Sequence, residues 1–278
     1  MSQVSFDDVM AKVPQLPALP KVVSRILASL DDEGANTEQL ADLVASDPVV
    51  SVRVLAAANS AVFGGQSTTS VNQAIMRLGL ARVRQVTVAT ALIDRFHLPL
   101  PFDNLRLWRH SVAVALCAES IAREVGAPTD PAWIAGLLHD IGQLLLFIAD
   151  PYVYADVLRA RTTGDKTLIA LEQETFGLNH AQVGGELARR WNLPASIADA
   201  IGAHHARDED TPDNPLADIV HAATALSHAL DLDGTDWNRV PAVCDVCCAR
   251  LGLDWRAMAP HFAAIEARYE GALLTLGL

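Results

Sequence analysis

Apolar residues recur at spacings of three and four along almost the whole 278-residue chain, and sustained two-residue alternation is hard to find. That period belongs to the helix rather than the strand, so the expected fold class is all-α. Val22, Val23, Ile26, Leu27 and Leu30 form one such stripe. Asn36 with Gln39 is spaced like a capping box ahead of Leu40, Leu43 and Val44. Asp47 as N-cap with Pro48 at the first helical position predicts a helix over Val49 to Ala58. Ser70 with Gln73 opens another, which Gly79 ends, and Val83, Val86, Leu92, Ile93 and Phe96 continue the pattern. With 51% hydrophobic residues, these helices can bury a substantial core in one large domain or two smaller ones.

The segment Leu98 to Asn104 carries Pro99 and Pro101, each of which disfavours helix in the residue before it, and marks a domain division. Beyond it a long helix is expected over 105–125, stopped by Gly126, and Asp130 with Pro131 opens the next. Further helices are expected at 131–149, 152–161, 166–176, 180–191, 195–203, 215–231, 239–251 and 255–273. The acidic, proline-containing stretch Arg207 to Pro215 is a second soft boundary. The expected organisation is an N-terminal helical lobe over 1–100, a second lobe over 101–212, and C-terminal helices over 213–278 that complete the second lobe.

Thirty-three acidic residues against twenty-one basic ones give a net charge of −12, which opposes diffuse attraction to nucleic acid or an anionic membrane. Arg53, Arg77, Arg82 and Arg84 form the only candidate basic patch and read as a solvated face. Cys117, Cys244, Cys247 and Cys248 are too few and too clustered for a secreted disulfide framework, and the C-x-x-C at 244–247 falls inside a helical pattern with no second pair. Met1 to Met10 has no signal-peptide pattern, and apolar runs such as Leu144 to Ala149 fall short of the roughly 20 residues that cross a bilayer. A cytoplasmic protein with no membrane segment is expected.

The nine histidines carry most of the chemical information, because imidazole is the commonest metal ligand. Five lie between positions 110 and 205: His110, His139, His180, His204 and His205. In GLLHDIG, Gly136 to Gly142, His139 and Asp140 sit side by side near the end of an apolar helix, where both could face one cleft. An imidazole nitrogen with a carboxylate oxygen suits zinc, iron or manganese, and a bridging Asp is what a two-metal phosphoester site needs. Any single one of these histidines is as well explained by a hydrogen bond at a helix end. His221 and His228 lie seven apart on one helix face, while His97 and His261 have no companions. Tyr152 and Tyr154 read as core or lobe-contact residues.

The arrangement resembles the HD superfamily and, more specifically, the HDOD domain, the HD-related output domain of bacterial signalling proteins, over about residues 16–230. LPALP (Leu16 to Pro20), Asp47 with Pro48, NSAVF (Asn59 to Phe63) and AIMRLG (Ala74 to Gly79) are similar to the family's N-terminal lobe. LWRHS (Leu107 to Ser111), GLLHDIG, NHAQVGGELARRWNLP (Asn179 to Pro194) and AIGAHH (Ala200 to His205) are similar to its HD-like lobe. Single pieces are weak, but eight in the family's order are specific.

The resemblance implies an all-α fold and a role in signal transduction, with no activity established for the family as a whole. The related HD-GYP proteins are metal-dependent phosphodiesterases acting on cyclic di-GMP. Against their pattern, His110 matches the first metal-binding histidine, His139 and Asp140 match the HD pair, and His180, His204 and His205 match the later ligands. Gln143 stands where that pattern has a lysine after HDIG, so a cation that would contact phosphate is missing there. Thr224 stands where a further metal-binding Asp is expected, and no GYP follows His205. Asp140, His180, His204 and His205 could therefore complete a mononuclear centre, while the other would have only His110, His139 and a shared Asp140.

The expected function is a non-catalytic bacterial signalling module that binds a protein partner or a small regulatory ligand, with nucleic acid not expected as a partner. No cofactor is required for that role, and iron, manganese or zinc could be held at low occupancy. The alternative is a metal-dependent phosphohydrolase acting on a cyclic dinucleotide or another phosphoester, with His139 and Asp140 as its catalytic pair.

Overall fold

In the computed structural model, which describes residues 5–29, 37–60, 68–163, 166–206, 213–232, 234 and 244–278, every regular element is helical. The first helix is α1 (Phe6–Met10). It is followed by α2 (Lys21–Ala28), α3 (Thr37–Ala45), α4 (Pro48–Asn59), α5 (Val71–Leu78) and α6 (Leu80–Arg95). Next come α7 (Asn104–Glu124), α8 (Thr129–Leu138), α9 (Gly142–Ala149), α10 (Pro151–Thr163) and α11 (Leu168–Phe176). The remainder are α12 (His180–Arg190), α13 (Ala195–Ala203), α14 (Pro215–Ala229), α15 (Asp245–Leu251), α16 (Trp255–Met258) and α17 (Phe262–Leu276). The all-α expectation holds.

Local chemistry explains most of the helix starts. Asp47 Oδ1 accepts from the Val49 and Val50 amides at 3.0 and 3.2 Å, with Pro48 in the first turn where its missing N–H costs nothing. Ser70 caps α5 through the Gln73 amide, and Gly79, at φ +78°, takes the left-handed backbone that divides α5 from α6. Two expected helices are interrupted. The span 131–149 breaks at 139–141, where Ile141 N donates to the Leu138 carbonyl and Gln143 N to the Asp140 carbonyl, making a tight turn of the HD pair. The span 255–273 breaks at the 3-10 turn Ala259–His261, around Pro260, which has no amide hydrogen to donate. The Asn36 cap, the end of NSAVF at 61–63 and the start of the 239–251 helix lie outside the described residues.

The helices form two compact units: Met1–Ala18 with Leu98–Ala259, and Leu19–His97 with Pro260–Leu278. The chain passes from one unit to the other at Leu98 and again at Pro260, so each unit combines segments that are distant in sequence. Residues 1–18 join the HD-like unit because Val9 and Met10 are fully buried against α9 and α12, and Arg190 Nη1 donates to the Met10 carbonyl at 3.2 Å. Residues 260–278 leave it, because Ile265, Tyr269, Ala272 and Leu276 bury one stripe of α17 against α4 and α6. Arg53 Nη1, on α4, donates to the Thr275 carbonyl at 2.8 Å. The arginines read as a surface patch are engaged locally as well: Arg77 bonds Thr68 Oγ1 and Arg82 bonds Gln85 Oε1.

Within the HD-like unit, α7 packs on α8 and α14, and α12 on α9 and α13. The stretch Thr129–Ala149 is long and apolar enough to cross a membrane, longer than the run the sequence singles out, but 89% of its most apolar window is buried inside the protein.

Candidate metal centre

Four segments bring the six candidate ligands together. His110 lies on α7, whose start is fixed by Asp103 Oδ1 accepting from the Arg106 amide at 3.0 Å. His139 and Asp140 occupy the turn between α8 and α9. His180 is the first residue of α12, behind a capping box of Asn179 and Gln182. His204 and His205 directly follow α13. Gly142 makes the meeting of α9 and α12 sterically feasible: a Cβ there would lie 2.0 Å from the His180 carbonyl oxygen and 2.7 Å from the Gly184 nitrogen. The glycine of HDIG therefore sets how closely Asp140 approaches His180.

Asp140 stands between two groups of three donors each. His110, His139 and Asp140 offer ligand atoms within 4.8 Å of one another, as do His180, His204 and His205. Asp140 Oδ1 is 3.0 Å from His180 Nε2 and 3.5 Å from His139 Nε2, and Oδ2 is 4.0 Å from His110 Nε2. His180 Nε2 lies 3.2 Å from His205 Nε2. Geometry alone thus gives the second group only histidines, with the carboxylate assigned to the first group and touching the second through His180.

The electrostatics follow from burial. His139 is pushed down to about 4 by burial and is neutral at pH 7. Its Nδ1 donates to the Gly136 carbonyl at 2.8 Å, which leaves Nε2 with a lone pair facing Asp140. His204 is likewise held well below its ordinary value by burial, aided by His139 and His180. Its Nδ1 donates to the Ile201 carbonyl at 2.7 Å, and its buried Nε2 has no hydrogen-bond partner among the described residues. Burial alone would raise the Asp140 carboxyl, but His139, His180 and His110 keep it well below the usual carboxylate range. Burial would lower His180, yet the Glu172 and Asp140 carboxylates on its two sides drive it up to about 10. Oriented neutral imidazoles, an ionised carboxylate and an orphaned buried nitrogen are a donor set that fits a divalent transition metal.

Three contributions escape a reading of motifs. Glu172, fully buried on α11, accepts from the His180 amide at 2.9 Å, from His180 Nδ1 at 2.7 Å and from the Tyr154 hydroxyl at 2.7 Å. It aims His180 Nε2 at Asp140 as an outer carboxylate. The available signal is its place in the stripe Leu168, Glu172, Phe176, since an acid on a buried face needs a buried partner. His228 stacks on His110, with ring centroids 5.1 Å apart, and so joins the edge of the site. The third is a cleft of about 390 Å3 lined by Arg106, His110, Asp140, Gln143, Arg159 and Arg161. Gln143 is indeed neutral, but arginines from α7 and α10 share its cleft. Thr224 does not substitute for a carboxylate, because its hydroxyl donates to the Val220 carbonyl of its own helix at 3.0 Å.

Comparison with known proteins places these features in a family. The family model described as HDOD domain matches residues 16–207. An HDOD domain protein with unknown function from Geobacter sulfurreducens superposes with a TM-score of 0.82 at 26% identity, over 96% of this chain and 97% of that one. A proposed phosphohydrolase from Shewanella amazonensis SB2B superposes with a TM-score of 0.74 at 25% identity, over 97% of each chain. Among curated proteins, Ribonuclease Y of Thermotoga maritima is 37% identical over 120 residues, 43% of this chain and 18% of that protein. An uncharacterized protein of Treponema pallidum is 23% identical over 234 residues, 83% of this chain and 45% of that protein. The chain spans less than half the length of these curated relatives.

Proposed function

Since this chain belongs to the HDOD family, we propose that it is a regulatory module of bacterial signalling that binds a protein partner or a small ligand at its HD-like unit without turning it over. The observation that carries this reading is the single carboxylate, Asp140, among the six donors, with the Thr224 hydroxyl committed to the Val220 carbonyl. One carboxylate leaves two closely spaced divalent ions poorly neutralised, which favours at most one ion held for structure or sensing. His110, His139 and Asp140 would hold an ion on one side, and His180, His204 and His205 on the other. A bound divalent ion there would supply Lewis-acid polarisation of a phosphoryl oxygen. A cytoplasmic location is part of the proposal.

The second reading, a metal-dependent phosphohydrolase with His139 and Asp140 as its catalytic pair, is favoured by the Glu172 support of His180 and by the arginines beside Asp140. Elemental analysis of the purified chain, paired with a phosphoester panel in Mn²⁺ or Fe²⁺, separates the two. The module reading expects no turnover of the panel. Hydrolysis at about 1 s⁻¹ or faster that His139→Ala abolishes would establish the enzyme.

A further inference from the structure

The metal centre makes no use of the C-x-x-C pair at 244–247, which has a defined setting of its own. Cys244 stands immediately before α15 and Cys247 lies in its first turn, closed by the Cys248 amide donating to the Cys244 carbonyl at 3.0 Å. One helical turn sets the two α-carbons about 5 Å apart, inside the roughly 4.4–6.8 Å that a disulfide spans. Both cysteines are free, and their thiols hydrogen-bond each other. Cys244 is half-buried and Cys247 is fully buried. On its other side Cys247 meets a clamp. Arg250 Nε and Nη2 donate to Asp218 Oδ2 and Oδ1 at 2.7 and 2.6 Å, fastening α15 to α14, and Nη2 lies 3.8 Å from the Cys247 sulfur. The buried Asp218 carboxylate is also within hydrogen-bonding reach of the Cys247 thiol.

The two thiols differ in the way a dithiol exchange needs. Hydrogen bonds from the Cys247 amide and the Cys247 thiol hold Cys244 below the ordinary thiol value, against the effect of its partial burial. Burial pushes Cys247 up to about 12, aided by Cys244 and Asp218. Cys244 is therefore the thiolate and the nucleophile, while Cys247 stays protonated in reserve beside a carboxylate. Cys248 is also raised by burial and hydrogen-bonds Trp255, and Cys117 is fully buried on α7.

We propose that Cys244 and Cys247 form a reversible redox site, oxidised to an intramolecular disulfide by a low-molecular-weight disulfide such as oxidised glutathione. The Cys244 thiolate attacks one glutathione sulfur, forming a mixed disulfide and releasing one glutathione thiolate. Cys247 then passes its proton to Asp218 and attacks the Cys244 sulfur, releasing the second glutathione. The proton leaves Asp218 for solvent, and the two electrons of the dithiol end on two molecules of reduced glutathione. Closure withdraws the Cys247 sulfur from the Arg250–Asp218 clamp on α14. The same helix carries His228, which stacks on His110 at the edge of the metal centre. The site is independent of whether the HD-like unit turns a ligand over.

The test treats the reduced full chain with excess oxidised glutathione under argon, then quenches it with acid. Free thiols titrated after unfolding should fall from four to two, and dithiothreitol should restore all four. Mass spectrometry of the peptide carrying 244–250 should show Cys244 joined to Cys247, with Cys248 free. Cys244→Ser, at a half-buried position, should abolish the loss, and Cys248→Ser should leave the 244–247 bond forming as before. The Cys244→Ser result decides even where Cys247→Ser fails to fold. Asp218→Asn should slow closure about 10-fold or more, so that the glutathione adduct accumulates on Cys244. Four thiols surviving the treatment would overturn the redox site. So would an adduct on the unaltered chain that never closes, a bond from Cys247 to Cys248 or to a second chain, or equal oxidation of Cys244→Ser. Closure at an unchanged rate in Asp218→Asn would overturn the proton transfer to that carboxylate.

Discussion

The two units bury different kinds of residue. Among the described residues, the unit of 19–97 and 260–278 buries no acid and no histidine; its buried polar side chains are Thr68, Gln85, Thr87 and Thr90. The HD-like unit buries Glu119, His139, Asp140, Glu172, His180, His204, Asp218 and His221, with His110 at the margin. Ionisable groups are expensive to remove from water unless they are paired. One unit therefore has a core of apolar stripes without buried ionisable groups among the described residues, and the other maintains a connected polar centre at a stability cost, which is where binding chemistry is expected.

The sharpest way to break that comparison is at Glu172. Replacing it with Ala removes the acceptor of three buried donors, and urea unfolding should show a loss of about 3–5 kcal/mol, with metal uptake lost as well. A loss below 1 kcal/mol would mean that the polar centre is not structurally coupled. Next in size, Leu92→Ala in the fully buried stripe of α6 should cost about 2–5 kcal/mol while leaving metal binding by the folded protein unchanged. Altered metal stoichiometry in that variant would show that the units are not chemically separate.

The smallest effect is a pH drift of the metal-free protein. His180 is raised from 6.5 to about 10 in the folded state, so its contribution is fully present below pH 6.5 and is lost as pH rises through about 10. Stability should fall over that window. Glu172→Gln, which removes one of the two carboxylates responsible, should flatten the slope, and an unchanged slope would reassign the titration to another group.

Much of this was legible from residue order. The Asp47–Pro48 start, the Gly79 stop and the helix over 195–203 follow from caps and spacing within a few residues, because they depend on local backbone hydrogen bonds. The six candidate ligands were also legible, since each sits inside a short motif. Glu172 was not, because an acid in a helix is unremarkable until its face is known to be buried. The break at 139–141 was hidden for a similar reason: the apolar run continues on both sides of the turn, and the close approach of Gly142 to the His180 backbone exists only in the folded chain.

By itself the sequence determined that the chain is helical, where most helices begin, and which histidines and aspartate are candidate metal ligands, because periodicity, capping and ligand type are local properties. Tertiary structure decided the rest. It joined the first residues to the HD-like unit and the last ones to the other, through burial of Val9 and Met10 in one and the α17 stripe in the other. It also brought Arg106 and Arg161, fifty-five positions apart in sequence, into the cleft where Gln143 leaves no positive charge. No local pattern encodes that meeting, because it depends on how the apolar faces of separate helices pack and therefore on where their polar side chains are left to converge.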